Sequence, residues 1–264
     1  MSHDPPGGPP PEIPASRFPA RLPRRLRKLL YRNYFRRDRY HRYDRLGLVL
    51  WLNYANYVDR QLIIHEPYEA PQIRYLQEQC SRRPFDLFID VGANFGLYSL
   101  LLARTGRVGD ILAFEPDPRN HPQLVTNIAA NGLATLIRSF ACGLSDRDTT
   151  AGFLQAHRRS TGMSRIEATA PADTPLANYT DSRVPVIRFD GYFSCRTRRV
   201  LVKIDVEGHE SQVIAGMSRL LRDNDCLVQA EVFDTSVEQF DALLGELGYR
   251  MVAAFGHDRL YRKP

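Results

Sequence analysis

Cysteine is sparse in this chain: Cys80, Cys142, Cys195 and Cys226 are the only four in 264 residues, and no two form a C-x-x-C pair. Such spacing suggests neither a zinc site nor a small disulfide framework, and it fits a reducing, cytosolic setting. Long apolar runs are missing too. The longest near the N-terminus, "LGLVLWL" at 46–52, has seven residues, whereas a membrane-crossing helix needs about 20. No small-residue cleavage site marks it as a secretory leader. A soluble, unexported protein is the expectation.

With 43% hydrophobic and 25% charged residues, the chain can bury the core of one globular domain that carries an appendage. Its charge is unevenly placed. Residues 17–45 hold twelve Lys and Arg against Asp38 and Asp44, while residues 46–264 hold 24 basic and 26 acidic residues, so the sequence pI of about 9.2 comes from one short segment. Residues 1–16, "MSHDPPGGPPPEIPAS", are too rich in Pro and Gly to fold and read as a disordered tail. In the 17–45 arm, Leu22, Leu26, Leu29, Leu30 and Tyr34 recur at helical spacing among arginines. Three readings stay open: peripheral contact with an anionic membrane, contact with nucleic acid, or an arm with one face packed on the 46–264 domain.

From Phe85 the pattern alternates. "FDLFID" (85–90), "DILAFEP" (110–116) and "ATLIRSFAC" (134–142) read as strands, with helices over Leu97–Arg104 and Arg119–Asn131, the second closed by Gly132. After a polar interruption at about 156–183, "RVLVKID" (199–205) and "CLVQAEVF" (226–233) read as strands, with helices over Glu207–Arg222 and Val237–Leu247 and two final strands near 249–255 and 258–262. This predicts an α/β fold, a mostly parallel sheet with helices on both faces. The 156–183 segment reads as a lid or substrate loop. Within residues 46–84, "LGLVLWLN" reads as an extra strand and Glu69–Cys80 as a covering helix.

The stretch "FIDVGANFG" (88–96) runs an apolar strand into a turn at Gly92, Ala93, Asn94 and Gly96. No third glycine completes the G-x-G-x-x-G of dinucleotide enzymes. The turn should offer backbone N–H groups and a helix start at the carboxyl edge of the sheet, a setting for an anion. Asp90 would put a negative charge in the same crevice, which suits a ligand carrying both a carboxylate and an ammonium group. Glu115, at the end of the next strand, can accept hydrogen bonds from both hydroxyls of a ribose. A ligand with an amino-acid end and a nucleoside end is S-adenosylmethionine.

The stretches "FIDVGANFGLYS" (88–99), "FEPDP" (114–118), "GLSD" (143–146) and "VKIDVEGHE" (202–210) together resemble the FkbM-type family of S-adenosylmethionine-dependent methyltransferases over roughly 85–235. The resemblance implies a class I methyltransferase fold, Rossmann-like with seven strands, and O-methylation of a hydroxyl on a sugar, polyketide or similar natural product. It says nothing about the arm.

Methyl transfer from a sulfonium mainly requires alignment and removal of the acceptor's proton. Lys203 and Asp205 share one face of the 199–205 strand, with Asp205 at its ligand-binding end. Asp205 can orient the acceptor, hold the cofactor's amine side or act as base. His209 can take the proton, or be an idle exposed side chain. Glu207 and Glu210 can serve chemistry or stabilise a helix N-terminus. Buried in a covered sheet, Lys203 needs a partner, with Asp205 and Glu231 the candidates. No spacing demands a metal, although Asp205, Glu207 and Glu231 offer oxygen ligands. Arg158, Arg159, Ser160, Thr161, Ser164 and Arg165 are the candidates for gripping the small-molecule or glycan acceptor. A nucleic-acid methyltransferase would use the arm as its footprint, but "KIDVEG" stands where an "NPPY"-like stretch would be expected. A catalytically silent binder of the cofactor is the other rival, against which Asp90, Glu115 and Asp205 stand together.

Overall fold

The computed structural model describes residues 40–64, 68–157, 161–166, 175–233 and 237–264. The 1–16 tail and the periodic leucines of the arm lie outside the described residues. The arm's last six residues, Tyr40–Arg45 (β1), are a strand that pairs antiparallel with Leu48–Asn53 (β2), the extra strand read from "LGLVLWLN". Helices Tyr57–Ile63 (α1) and Ala70–Arg82 (α2) follow.

The alternating pattern then forms the main sheet. Its strands are Phe85–Val91 (β3), Val108–Phe114 (β4) and Ile137–Phe140 (β5), with helices Leu97–Ala103 (α3) and Asn120–Ala130 (α4) between them. Gly143–Leu144 (β6), Thr149–Ala156 (β7), Arg165–Ile166 (β8) and Tyr179–Ile187 (β9) make a second sheet of order β6-β9-β7-β8. The interruption read as a lid or substrate loop is therefore partly strand, holding β8 and the first half of β9. β8 is only two residues long and both strands pair with β7, which lies ahead of the interruption, so no local period marks them. The chain returns through Phe189–Tyr192 (α5), Arg199–Ile204 (β10), Glu210–Gly216 (α6), Ser218–Asp223 (α7), Asp225–Glu231 (β11), Val237–Glu246 (α8), Arg250–Phe255 (β12) and Asp258–Arg262 (β13).

The main sheet has seven strands in the order β12-β13-β11-β10-β3-β4-β5, parallel except for β13, which runs antiparallel to both β11 and β12. The chain leaves β3 toward β4 and β5, then returns to β10 on the other side. The order thus reverses between β3 and β10, the place where an open sheet leaves a crevice beyond its strand ends. Side-chain alternation divides the core in two. Phe88, Ile111, Leu201 and Leu227 pack with the hairpin and α2–α4, while Ile89, Leu112, Val202 and Val228 pack with α6–α8.

The helix expected over Glu207–Arg222 is two helices, α6 and α7, meeting at Met217. A Cβ at Gly216 would fall 1.9 Å from the Ser145 carbonyl oxygen, so α6 lies against the 143–146 segment only because that position has no side chain. Glu207 precedes α6 with a left-handed φ of 56°, and His209 is its N-cap residue.

Candidate active site

The crevice at the strand reversal opens into a cavity of about 440 Å³, with Asn94, Glu115, Asp205, Glu207 and Glu231 among its lining residues. Most reach it from a strand end. Asn94 lies in the turn after β3, Glu115 directly after β4, Asp205 directly after β10, and Glu231 closes β11. The turn packs tightly on its neighbour: Gly92 holds φ at 77°, and a Cβ there would lie 1.9 Å from the Asp205 carbonyl oxygen, so only glycine fits.

Four of the turn's amides are bonded within the protein. The Gly92 and Ala93 N–H groups both donate to the Phe114 carbonyl, at 2.9 and 3.0 Å, and the Gly96 N–H donates to the Ala93 carbonyl at 2.8 Å. The Asn94 N–H donates to Glu115 Oε2 at 2.7 Å, and the Asp117 N–H donates to Oε1 at 2.8 Å. Glu115 is thereby fixed in orientation with lone pairs to spare, while burial pushes its carboxyl up to about 8. The Asn94 side-chain oxygen has no hydrogen-bond partner among the described residues, so the cavity wall holds an acceptor ready for a donor.

Asp90 is not in the crevice. It is 1% exposed, and its Oδ2 accepts the Ser99 N–H at 3.2 Å and the Ser99 hydroxyl at 2.6 Å. It faces Lys203, its register partner on β10. The Lys203 Nζ lies 3.0 Å from Asp205 Oδ2 and 4.8 Å from the centre of the Tyr98 ring. Burial opposes its charge, but the carboxylates of Asp205, Asp90 and Glu69 outweigh that and hold the ammonium above its usual range. The partner left open in the sequence is therefore Asp205.

Beyond β10 the carboxylates crowd. One oxygen from each of Asp205, Glu207 and Glu231, the three named from the sequence as possible oxygen ligands, lies within 4.8 Å of the others. Burial, together with the neighbouring Asp205, raises Glu231 well above the usual glutamate range and takes Glu207 up to about 7. Arg165 Nη2 sits 3.0 Å from Glu207 Oε2 and counters that rise. Two of the three carboxylates thus already have a side-chain cation. Glu210 takes the structural role, since its Oε1 accepts the Gly208 N–H at 2.8 Å ahead of α6.

His209 is buried rather than idle at the surface. Its Nε2 is 2.9 Å from Ser145 Oγ, and the Ser145 hydroxyl donates to Asp146 Oδ1 at 3.1 Å. The Ser145 hydroxyl thus bridges the ring and a carboxylate, and where its proton goes to Asp146, Oγ accepts from Nε2–H and Nδ1 is left as the acceptor. Nδ1 has no partner among the described residues. Burial lowers the ring to about 4, so it is neutral at physiological pH.

Of the residues expected to read the acceptor, Arg158, Arg159 and Ser160 lie outside the described residues. Ser164 is a brace: its hydroxyl donates to Asp117 Oδ2 at 3.0 Å, and Arg119 binds both Asp117 oxygens and the Ala156 carbonyl. This ties β7 and the 161–166 segment over the end of β4. Arg165 belongs to the cavity wall through Glu207. Tyr68 and Glu69 also line the cavity; no local pattern marked them, because Glu69 read only as the first residue of a helix.

Compared with known protein families, the chain matches the model of the methyltransferase FkbM domain over residues 90–251. The chain belongs to the FkbM methyltransferase family. It is 28% identical over 195 residues to methyltransferase sdnD of Sordaria araneosa, covering 61% of this chain and 72% of that protein. It is 27% identical over 147 residues to 2-O-methyltransferase NoeI of Sinorhizobium fredii, covering 51% of this chain and 58% of the relative. A solved FkbM methyltransferase from Methylobacillus flagellatus superposes with a TM-score of 0.46 and 17% identity, over 79% of this chain and 53% of the other. The chain thus spans about half to three-quarters of the length of these proteins. Among its described residues, no helix is long and apolar enough to cross a membrane.

Proposed function

We propose that this FkbM-family methyltransferase uses S-adenosylmethionine to methylate a hydroxyl group, on a neutral sugar of a glycan or of a glycolipid or natural-product precursor. The observation that carries the reading is the carboxyl-rich lining of the cavity. Glu69, Glu115, Asp205, Glu207 and Glu231 all line it, against Arg165 alone among the described lysines and arginines. Burial holds protons on part of this set, so the wall can both donate hydrogen bonds to neutral hydroxyls and accept them, and it offers one cation to a carboxylate or phosphate acceptor. The name of the NoeI relative, a 2-O-methyltransferase, supports an oxygen acceptor.

When bound, the adenosyl sulfonium supplies the methyl group and leaves as a neutral thioether. The residues fit that ligand: Glu115 keeps lone pairs for ribose hydroxyls, and Asn94 offers its unpartnered side-chain oxygen. Asp205, between Lys203 and the cavity, is placed to orient the acceptor hydroxyl and receive its proton. The carboxyl groups of Glu207 and Glu231 can exchange further hydrogen bonds with hydroxyls, as a polyol requires. His209, neutral and held by Ser145, is the second proton acceptor. The 17–45 arm, by its charge, would bring a cytoplasmic enzyme to an anionic inner-membrane surface and so to a lipid-linked acceptor. With no amino-methylating motif after β10, nucleic acid is the poorer partner.

Calorimetric titration with S-adenosylmethionine, S-adenosylhomocysteine and NAD tests the cofactor. Binding of both adenosyl compounds, lost in Glu115→Ala, is expected; preference for NAD would end the proposal. Turnover on neutral glycosides but not on their phosphorylated or uronic-acid counterparts tests the acceptor, and the reverse order would refute it.

A further inference from the structure

Glu69 stands at the entry to α2 with φ at +46°, a left-handed conformation that side-chain-bearing residues seldom adopt. Such outliers persist where the surroundings enforce them, and they cluster at ligand sites. Burial raises the Glu69 carboxyl, while Lys203 and the neighbouring Tyr68 and Tyr98 hydroxyls oppose that rise, and the Tyr98 hydroxyl accepts from Gln229 Nε2 at 3.4 Å.

Glu69 borders the main cavity together with Gly92, Asn94 and Asp205, and the same four residues border a second chamber of about 30 Å³ whose wall includes Tyr98 and Lys203. That is room enough for a water molecule or an ammonium group. Around it the carboxyl groups of Glu69, Asp205 and Asp90 act on the single ammonium of Lys203, so the surroundings favour further positive charge and disfavour an anion. Asp90, the acid at the strand end expected to meet a ligand's amine, is buried and borders neither chamber; Ser99 takes its Oδ2, and its Oδ1 has no partner among the described residues. Glu69 keeps its place on the cavity wall beside the turn.

We infer that Glu69 receives the α-ammonium group of the adenosyl cofactor, the role expected of Asp90 from its position in the motif. The inference rests on the cofactor reading above. It assigns a ligand contact to a residue outside the strand-end motifs and ahead of the first strand of the main sheet.

Three ligands test it by calorimetry on the full chain: S-adenosylhomocysteine, its analogue lacking the α-amino group, and 5′-methylthioadenosine, which has no amino-acid tail. In Glu69→Gln, S-adenosylhomocysteine is expected to bind about tenfold or more weaker, the loss of a charge-assisted hydrogen bond. Methylthioadenosine should bind as in the wild type, which also reports that the variant's cavity is intact. The wild type should lose a similar factor on the deaminated analogue, and Glu69→Asp should recover part of the loss. Unchanged S-adenosylhomocysteine binding in Glu69→Gln, or equal weakening of all three ligands, overturns the assignment. So does a wild type that binds the deaminated analogue as tightly as S-adenosylhomocysteine, a result independent of how any variant folds. A wild type that binds no adenosyl compound fails the cofactor reading first, and the assignment with it.

Discussion

Lys203 and Asp205, two residues apart on one face of the chain at the end of the central strand, form an ion pair with Nζ and Oδ2 3.0 Å apart. The pair links the inside of the sheet to the cavity. Lys203 is 5% exposed and answers Asp90 behind it, while Asp205 reaches the cavity in front. Removing one partner of a buried pair strands the other, at about 3–5 kcal/mol. Lys203→Met is therefore expected to lower the unfolding free energy by about that much, measured by urea denaturation. A loss under about 1 kcal/mol, the worth of an exposed pair, would show that the ammonium is not buried as described.

Asp205→Asn should separate stability from chemistry. The amide keeps the shape and an acceptor oxygen for Lys203, which still has Asp90 and Glu69 beside it, so the fold is expected to survive with reduced stability, but the amide can no longer take a proton. Single-turnover rates should fall about 100-fold or more while adenosyl-compound affinity changes little. Equal rates in the variant would remove Asp205 from the proton's path.

The carboxyls held above their ordinary range set the pH dependence of the ligand-free protein. Burial takes Glu115 from 4.5 to about 8, Glu207 from 4.5 to about 7 and Asp59 from 3.8 to about 7. The folded chain therefore holds these protons when the unfolded chain has released them, and stability is fully present below the unfolded values. It is lost as pH rises from those values through about 7 to 8, where the folded carboxyls in turn release their protons. Urea midpoints should fall between pH 5 and pH 8.5, and Glu115→Gln should flatten that decline. A steeper or unchanged slope in the variant would show that Glu115 is not the buried acid described.

His209, lowered to about 4 by burial, should contribute no inflection near its ordinary value of 6.5 to the pH–rate profile. A limb in that range that disappears in His209→Gln would contradict the buried, neutral ring. Ser145→Ala should remove the hydroxyl that holds Nε2 and lower kcat with little effect on the acceptor's KM, since the ring loses that orienting hydrogen bond.

Lys203 and Arg165 already neutralise Asp205 and Glu207. Activity is accordingly expected to survive EDTA. Loss on chelation, restored by Mg²⁺, would make the Asp205, Glu207 and Glu231 grouping a metal site.

The sequence by itself determined the alternating strands and helices, the tight turn at Gly92 and the acids at the strand ends, because these follow from periodicity and from local backbone demands. Glu115 and Asp205 were legible for that reason: each stands one residue past a strand on the cavity side. Local pattern could not decide which polar groups end up facing the cavity. Asp90 and Asp205 are alike in sequence, each an acid at the end of an apolar strand, yet the Ser99 hydroxyl covers the first and the second lies open beside Lys203. Glu69, at the start of a covering helix, and Ser145, between two short elements, gain their places only when α2 packs against the sheet and the 143–146 segment against α6. The break at Met217 has the same origin, since α6 lies against a distant carbonyl at Gly216. Strand ends are encoded by neighbours in the chain, whereas burial, charge pairing and proton placement depend on groups brought together from distant segments.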